Sequence, residues 1–367
     1  MADSRTETVA RILVDYSVDV QPGELVQVRG APEGEPLLLA IYQRVLERGG
    51  HPWVRLGLDD TAEIFYKTAS DDQLEYVSSI DWKIIEEIDA NIGIWTESNT
   101  KSLTNVDPKK QSKAAAARRS LNERFMERAA KKELKWSGTI YPTLAFAMDA
   151  QMSLREFEDF YYGAALVHEA DPIAAWRATS VEQQRLIDWL LDKKEVHLKG
   201  PDTDLRLGIE GRLWENCDGK ENFPDGEIFT APIEDSVNGH VRFTYPACEG
   251  GREVEDVRLW FEEGKVVKAA AAKNEEYLIA MLDTDEGSRT LGEFAFGTNK
   301  GIQRFTKNIL FDEKIGGTVH MAVGVGYPET GSKNKSAIHW DMICDLRDGG
   351  EVWVDGILFA KDGEFLI

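Results

Sequence analysis

The stretch "ETVARILVDYSVDVQPGELVQVRG", Glu7 to Gly30, holds two hydrophobic periods in succession. Val9, Ile12, Leu13 and Tyr16 recur at the spacing of one helical face, Gln21-Pro22-Gly23 breaks that pattern, and "ELVQVRG" then reads as a short strand. The same order returns in "EPLLLAIYQRVLERGG" (35–50), an amphipathic helix ending on paired glycines that suit a C-cap. The strand "PWVRLGL" (52–58) follows, and "DANIGIWTE" (89–97) is a later one. Strands separated by helices need crossover connections, so the pattern predicts a parallel sheet and an α/β N-terminal domain. No G-x-G-x-x-G or G-x-x-x-x-G-K-[ST] loop follows these strands, which argues against a dinucleotide or nucleotide site.

The middle of the chain reads as helical. "SLREFEDFYYGAALV" opens on a capping box at Ser153 and Glu156, and "SVEQQRLIDWLLDKK" opens on another at Ser180 and Gln183. From Glu195 the texture changes to short alternating strands: "EVHLKG", "DLRLGI", "HVRFTYPA", "DVRLWFEEGKVVKAAA" and "EVWVDGILFAKDGEFLI". Asn-Gly, Glu-Gly and Asp-Gly pairs join them in the manner of tight hairpins, and one helix, "NEEYLIAMLDT", interrupts them. The expected organisation is an α/β N-terminal domain with bridging helices over residues 1–194 and a β-rich α+β domain over 195–367.

At 367 residues the chain is longer than one core usually organises. No apolar run approaches the roughly 18–20 residues of a membrane span. "MADSRTETVA" lacks the basic and apolar regions of an export signal, so a cytoplasmic protein is expected. Cys217, Cys248 and Cys344 are too scattered for a disulfide framework or zinc knuckle and read as reduced packing residues. A formal charge of -22 repels nucleic acid and anionic membranes while favouring cationic ligands and divalent metals. The basic, alanine-rich stretch from Lys109 to Lys135 runs against that trend and reads as a solvated helix, with contact to an acidic partner or another subunit as the alternative.

Of six histidines, His51, His168, His197 and His240 have ordinary surroundings. In "TVHMAVGVGYP", His320 shares a strand face with Ala322 and Gly324, small residues that leave room for a ligand. In "SAIHWDMI", His339 and Asp341 project from one face while Ile338, Trp340 and Met342 fill the other. That pair is either an ordinary hydrogen-bonded couple or two ligands converging on a zinc-like or manganese-like cation. "LGEFAFGT" places Glu293 with Ala295 and Gly297, opposite Phe294 and Phe296; a glutamate so placed is paired, protonated or metal-bound. Glu227 in "DGEIFTAP" and Glu313 in "LFDEKIGGTVH" extend the set. With Glu227, Glu293, Glu313 and Asp341 ionised, two divalent cations balance the charge; without metal, four crowded carboxylates repel.

Together these segments resemble a known family. "GEIFTAPIEDSVNGHVRFTYP", "LGEFAFGTN", "DEKIGGTVHMAVGVGYP" and "SAIHWDMI" are similar to successive motifs of the aminopeptidase T family of metalloaminopeptidases, which includes the staphylococcal and streptococcal aminopeptidases S. "DYSVDVQPGELVQVRG" and "MSLREFEDFYYGA" extend the likeness into the N-terminal half. The resemblance implies a cytoplasmic homodimeric exopeptidase with two divalent metals per chain (zinc, cobalt, manganese or magnesium), acting on peptides with a free N-terminus. It implies metal ligands at Glu227, Glu293, Glu313, His320, His339 and Asp341, and an active-site tyrosine at Tyr327, with no substitution at any of these positions.

On that basis Glu293 is expected to bridge the two metals and Tyr327 to donate to the developing oxyanion, while Glu313 and Glu227 are alternative bases. Two other functions compete. His320, His339 and Asp341 alone form the ligand set of a mononuclear non-haem iron dioxygenase, which has no use for the three glutamates. A non-catalytic binding protein on the same fold is the other.

Overall fold

A computed structural model describes residues 3–249 and 252–367. The chain divides into two compact units, Met1–Ile173 with Gly219–Pro224, and Ala174–Asp218 with Asp225–Ile367.

In the first unit the expected helix–break–strand order is present. α1 (Ser4–Ile12) runs into a π turn, Leu13–Ser17, before β1 (Leu25–Gly30), α2 (Glu35–Glu47) and β2 (His51–Leu56). Short helices α3 (Asp60–Thr68), α4 (Asp71–Glu75) and α5 (Ser79–Glu87) lead to β3 (Ala90–Trp95). α6 (Pro108–Ala130), β4 (Lys135–Ile140), α7 (Leu144–Asp149) and α8 (Leu154–Ala164) follow. The sheet order is β2-β1-β3-β4-β8, where β8 (Asn222–Phe223) comes from later in the chain, and every pair is parallel. β3 is buried from Ala90 to Ile94, the continuous apolar run expected of a parallel strand covered on both faces.

The basic stretch forms α6, and its charges are largely used within the unit. Arg118 pairs with Asp81, Arg124 with Glu86, and Lys113 with Asp71 and Glu75, tying α6 to α4 and α5. The capping box at Ser153 and Glu156 is present at the start of α8. The one expected at Ser180 is not: α9 spans Pro172–Leu190, so Ser180 lies inside a helix that begins upstream in "PIAAWRAT". Gln183 instead reaches out of α9 to donate to the carbonyls of Cys217 and Glu227.

The second unit holds two antiparallel sheets. One has the order β14 (Lys265–Ala270), β13 (Arg258–Glu262), β10 (Asn238–Arg242), β6 (Thr203–Gly208), β5 (Glu195–Gly200), β18 (Glu351–Val354), β19 (Ile357–Lys361), β20 (Glu364–Phe365). Its last hairpins turn on Asp355-Gly356 and Asp362-Gly363, each pair at positive φ, as two-residue connections require. The other sheet has the order β17 (His339–Asp345), β16 (Thr318–Gly324), β15 (Leu291–Gly297), β9 (Glu227–Thr230), β7 (Glu215–Cys217). A small hairpin, β11 (Ala247–Glu249) with β12 (Arg252–Val254), and helices α10 (Glu275–Leu282) and α11 (Ile309–Asp312) complete the unit.

One hydrophobic core joins the two sheets: Leu198, Leu205, Val241 and Phe261 from the larger meet Phe294, Phe296, Met321, Trp340 and Met342 from the smaller. Every second residue of β15, β16 and β17 is thus committed to this core, which leaves the opposite faces free for other chemistry. Phe294 is fully buried between Trp214 and Phe296. Phe294→Ala is expected to lower unfolding stability by about 3–5 kcal/mol, read as a lower denaturant midpoint of the metal-free protein. The chain is therefore an α/β N-terminal part followed by a β-rich α+β part, as the sequence pattern predicts.

Candidate metal centre

Strand register gathers the polar side chains that the sequence pattern singled out. Glu293 and Asp341 both pair across Ala322 of β16, and His339 pairs with Gly324. His320 pairs with Ala295, and Glu227 with Gly297. Each long polar side chain thus has an alanine or glycine beside it, and the ligand tips converge over the space those small residues leave. Gly297 has a second role: a Cβ there would lie 2.2 Å from the Ile315 carbonyl, so only glycine lets the connection carrying Glu313 lie against β15. Asp285 fastens the chain ahead of β17, accepting from the Ala337 N–H at 2.6 Å and the Ser336 hydroxyl at 3.1 Å.

The six candidates fall into two groups. Ligand atoms of Glu227, Glu313 and His320 lie within 4.8 Å of one another, and so do those of Glu293, His339 and Asp341. Glu293 faces both: its Oε1 is 3.3 Å from His320 Nε2, and its Oε2 is 3.2 Å from His339 Nε2. His320 Nε2 is also 3.4 Å from Glu227 Oε2, and His339 Nε2 is 3.5 Å from Asp341 Oδ2. The other nitrogen of His339, Nδ1, is 2.7 Å from the Val325 carbonyl oxygen, a contact that fits an Nδ1–H donor and turns Nε2 toward the carboxylates. Tyr327 stands at the open end, its ring edge-on to His339 and tilted against Phe229, each at 5.2 Å.

Sequence reasoning missed two charged groups. Lys314, with none of its surface exposed, touches the Glu313 carboxylate and lies 3.6 Å from Glu227 Oε1 and 3.8 Å from Asp225 Oδ1. Asp225 is itself buried. Lys314 and Asp225 cancel, so the four carboxylates counted from sequence still leave the charge of two divalent cations uncompensated. Cys217 is a free thiol whose sulfur lies near Asp225 and Glu227, so it borders this cluster rather than serving only as packing.

The electrostatics show a site that demands positive charge. Burial pushes the carboxyls of Glu227 and Asp341 up, that of Asp341 to about 7. Burial also opposes ionisation of Glu293, but hydrogen bonds from His320 and His339 outweigh it and hold the group down at about 2. Against the same burial, neighbouring carboxylates raise His320 to about 9 and His339 to about 10. For Tyr327, burial and then the carboxylates of Glu293 and Asp341 push the phenol well above its ordinary value, which keeps it a proton donor. Glu227 Oε2 and Asp341 Oδ1 are buried acceptors with no hydrogen-bond donor among the described residues. Orphaned oxygens beside imidazole nitrogens, in hard and borderline donor types, fit divalent cations.

The comparisons with known proteins agree with this chemistry. The chain is 28% identical to Aminopeptidase 2 of Geobacillus stearothermophilus over 404 residues, covering 99% of this chain and 95% of that protein. It is 32% identical to Aminopeptidase T of Thermus aquaticus over 259 residues, covering 62% of this chain and 60% of that protein. In fold it is similar to wild-type AmpT from Thermus thermophilus, with a TM-score of 0.87 at 24% identity over 99% of both chains. The family resemblance expected from the motifs is borne out. The profile described as "Thermophilic metalloprotease (M29)" matches residues 2–365, and the chain belongs to that family.

Proposed function

We propose that this metal-dependent aminopeptidase holds two divalent cations on the face of β15–β17 opposite the core and hydrolyses the first peptide bond of peptides with a free N-terminus. The observation that carries the two-cation reading is the placement of Glu293, whose two oxygens face different histidines, each in its own ligand group. Glu227, Glu313 and His320 would hold one ion, His339 and Asp341 the other, and Glu293 both. Bound divalent cations supply polarisation of the scissile carbonyl and acidification of water near neutral pH. The mixed carboxylate and imidazole donors suit zinc, cobalt, manganese or magnesium.

The chain's own groups do the remaining work. Tyr327 is the most exposed of these residues, with His339 next, so substrate approaches from their side. The chain's net charge of -22 attracts a peptide's terminal ammonium group and gives a neutral acylated end no such attraction. Tyr327 donates a hydrogen bond to the oxygen that gains negative charge as the peptide bond is attacked. The mononuclear iron alternative leaves Glu227, Glu293 and Glu313 without a role and is not favoured. No helix among the described residues is long and apolar enough to cross a membrane. A cytoplasmic homodimer completes the reading, and light scattering that gave a single-chain mass would remove the dimer from it.

A panel of short peptides with free and acetylated N-termini tests the activity on chelator-stripped protein before and after adding each metal. Release of the terminal residue is expected only from free N-termini and only with metal. Equal cleavage of acetylated peptides, or cleavage without metal, would overturn the proposal.

A further inference from the structure

Lys314 places a buried positive charge against one ligand group and not the other. It touches Glu313 and lies within 3.6 Å of Glu227, two of the three side chains grouped with His320. Among the described residues its ion pairs are with Asp225, Glu227 and Glu313, and none joins it to Glu293, His339 or Asp341. A fixed ammonium in a water-poor interior repels a nearby cation over several ångströms with little screening. It also engages carboxylate electron pairs that a metal would use. Asp225, 3.8 Å from the ammonium, offsets part of this effect.

We propose that Lys314 makes the two halves of the centre unequal. The Glu293–His339–Asp341 half takes its divalent cation first and tightly, and the Glu227–Glu313–His320 half takes a second cation more weakly and exchanges it. The inference rests on the two-cation reading above. Lys314 acts as a positioning residue: it holds Glu227 and Glu313 in place when their half is empty and sets how readily that half fills.

Cobalt(II) titration of the chelator-stripped full chain, followed by calorimetry and by the cobalt absorption spectrum, tests this. Two steps of one ion per chain are expected, with dissociation constants separated by about ten-fold or more. Glu313→Gln should remove the weaker step and His339→Ala the tighter one. Lys314→Met keeps an unbranched stem and removes the charge; it should tighten the weaker step by about ten-fold and leave the tighter one within about two-fold. Asp225→Asn removes the offsetting negative charge and should loosen the weaker step.

Because the two variants move the weak step in opposite directions, a Lys314→Met chain that fails to fold still leaves Asp225→Asn decisive. An unchanged or tighter weak step in Asp225→Asn overturns the proposal. Two wild-type steps with Lys314→Met unchanged or weaker also overturn it, while leaving the two-cation reading intact. A single wild-type step of one ion overturns that reading itself.

Discussion

Glu293→Gln is expected to lower bound metal from two ions per chain to at most one and to cut peptide hydrolysis by about three orders of magnitude, equivalent to about 4 kcal/mol of barrier. The substitution keeps the shape of the side chain and removes its charge. In the native site, Oε1 and Oε2 are 3.3 and 3.2 Å from His320 and His339, and the residue is only 5% exposed. Among the described residues no other carboxylate forms an ion pair with both histidines. An amide offers one acceptor oxygen and one NH2 donor group, so whichever way it is oriented, one half of the centre meets a donor where it needs an acceptor. Metal content by mass spectrometry, turnover, and the unfolding midpoint of metal-free protein separate this from general damage. The midpoint is expected to fall while the unfolding transition stays cooperative, because the metal-free fold loses the anion that pairs with His320 and His339. Wild-type turnover with two bound metals would show that Glu293 is not the bridge.

Much of this centre is legible in the sequence because β structure has a period of two. Phe294 and Phe296, Met321, and Trp340 with Met342 mark the core faces of three strands, which obliges Glu293, His320, His339 and Asp341 to share the opposite side. The division of those ligands into two groups is not legible. It depends on register, in which Ala322 sits between Glu293 and Asp341 while Ala295 sits beside His320. Lys314 is hidden for a different reason. In "DEKIGG" it has the look of a solvated loop charge, and its burial follows from the tight seating of Ile315 on Gly297, residues far apart in sequence. Asp225, next to Pro224 and Gly226, likewise reads as an ordinary turn residue. Ser180 misleads in the opposite sense: its local pattern is that of a cap, but the helix is favoured for eight residues before it, and longer-range continuity prevails over the cap signal.

Tyr327→Phe is expected to lower kcat by about 10²–10³-fold, the usual effect of deleting one oxyanion donor, while leaving metal stoichiometry and KM nearly unchanged. The ring contributes packing against His339 and Phe229, and phenylalanine preserves both contacts. The hydroxyl is the only group removed. Burial, and then the carboxylates around it, push that hydroxyl well above its ordinary value, which favours the protonated, donating form. A donor aimed at charge that grows only as the peptide bond is attacked stabilises the transition state more than the bound peptide. The loss therefore belongs in kcat. If KM rose instead with kcat intact, Tyr327 would be binding substrate uniformly; if neither changed, it would be a packing residue at the end of β16. Loss of metal in this variant would point to a third role, support of His339 through the ring contact, and the cobalt spectrum of the variant distinguishes it from the other two.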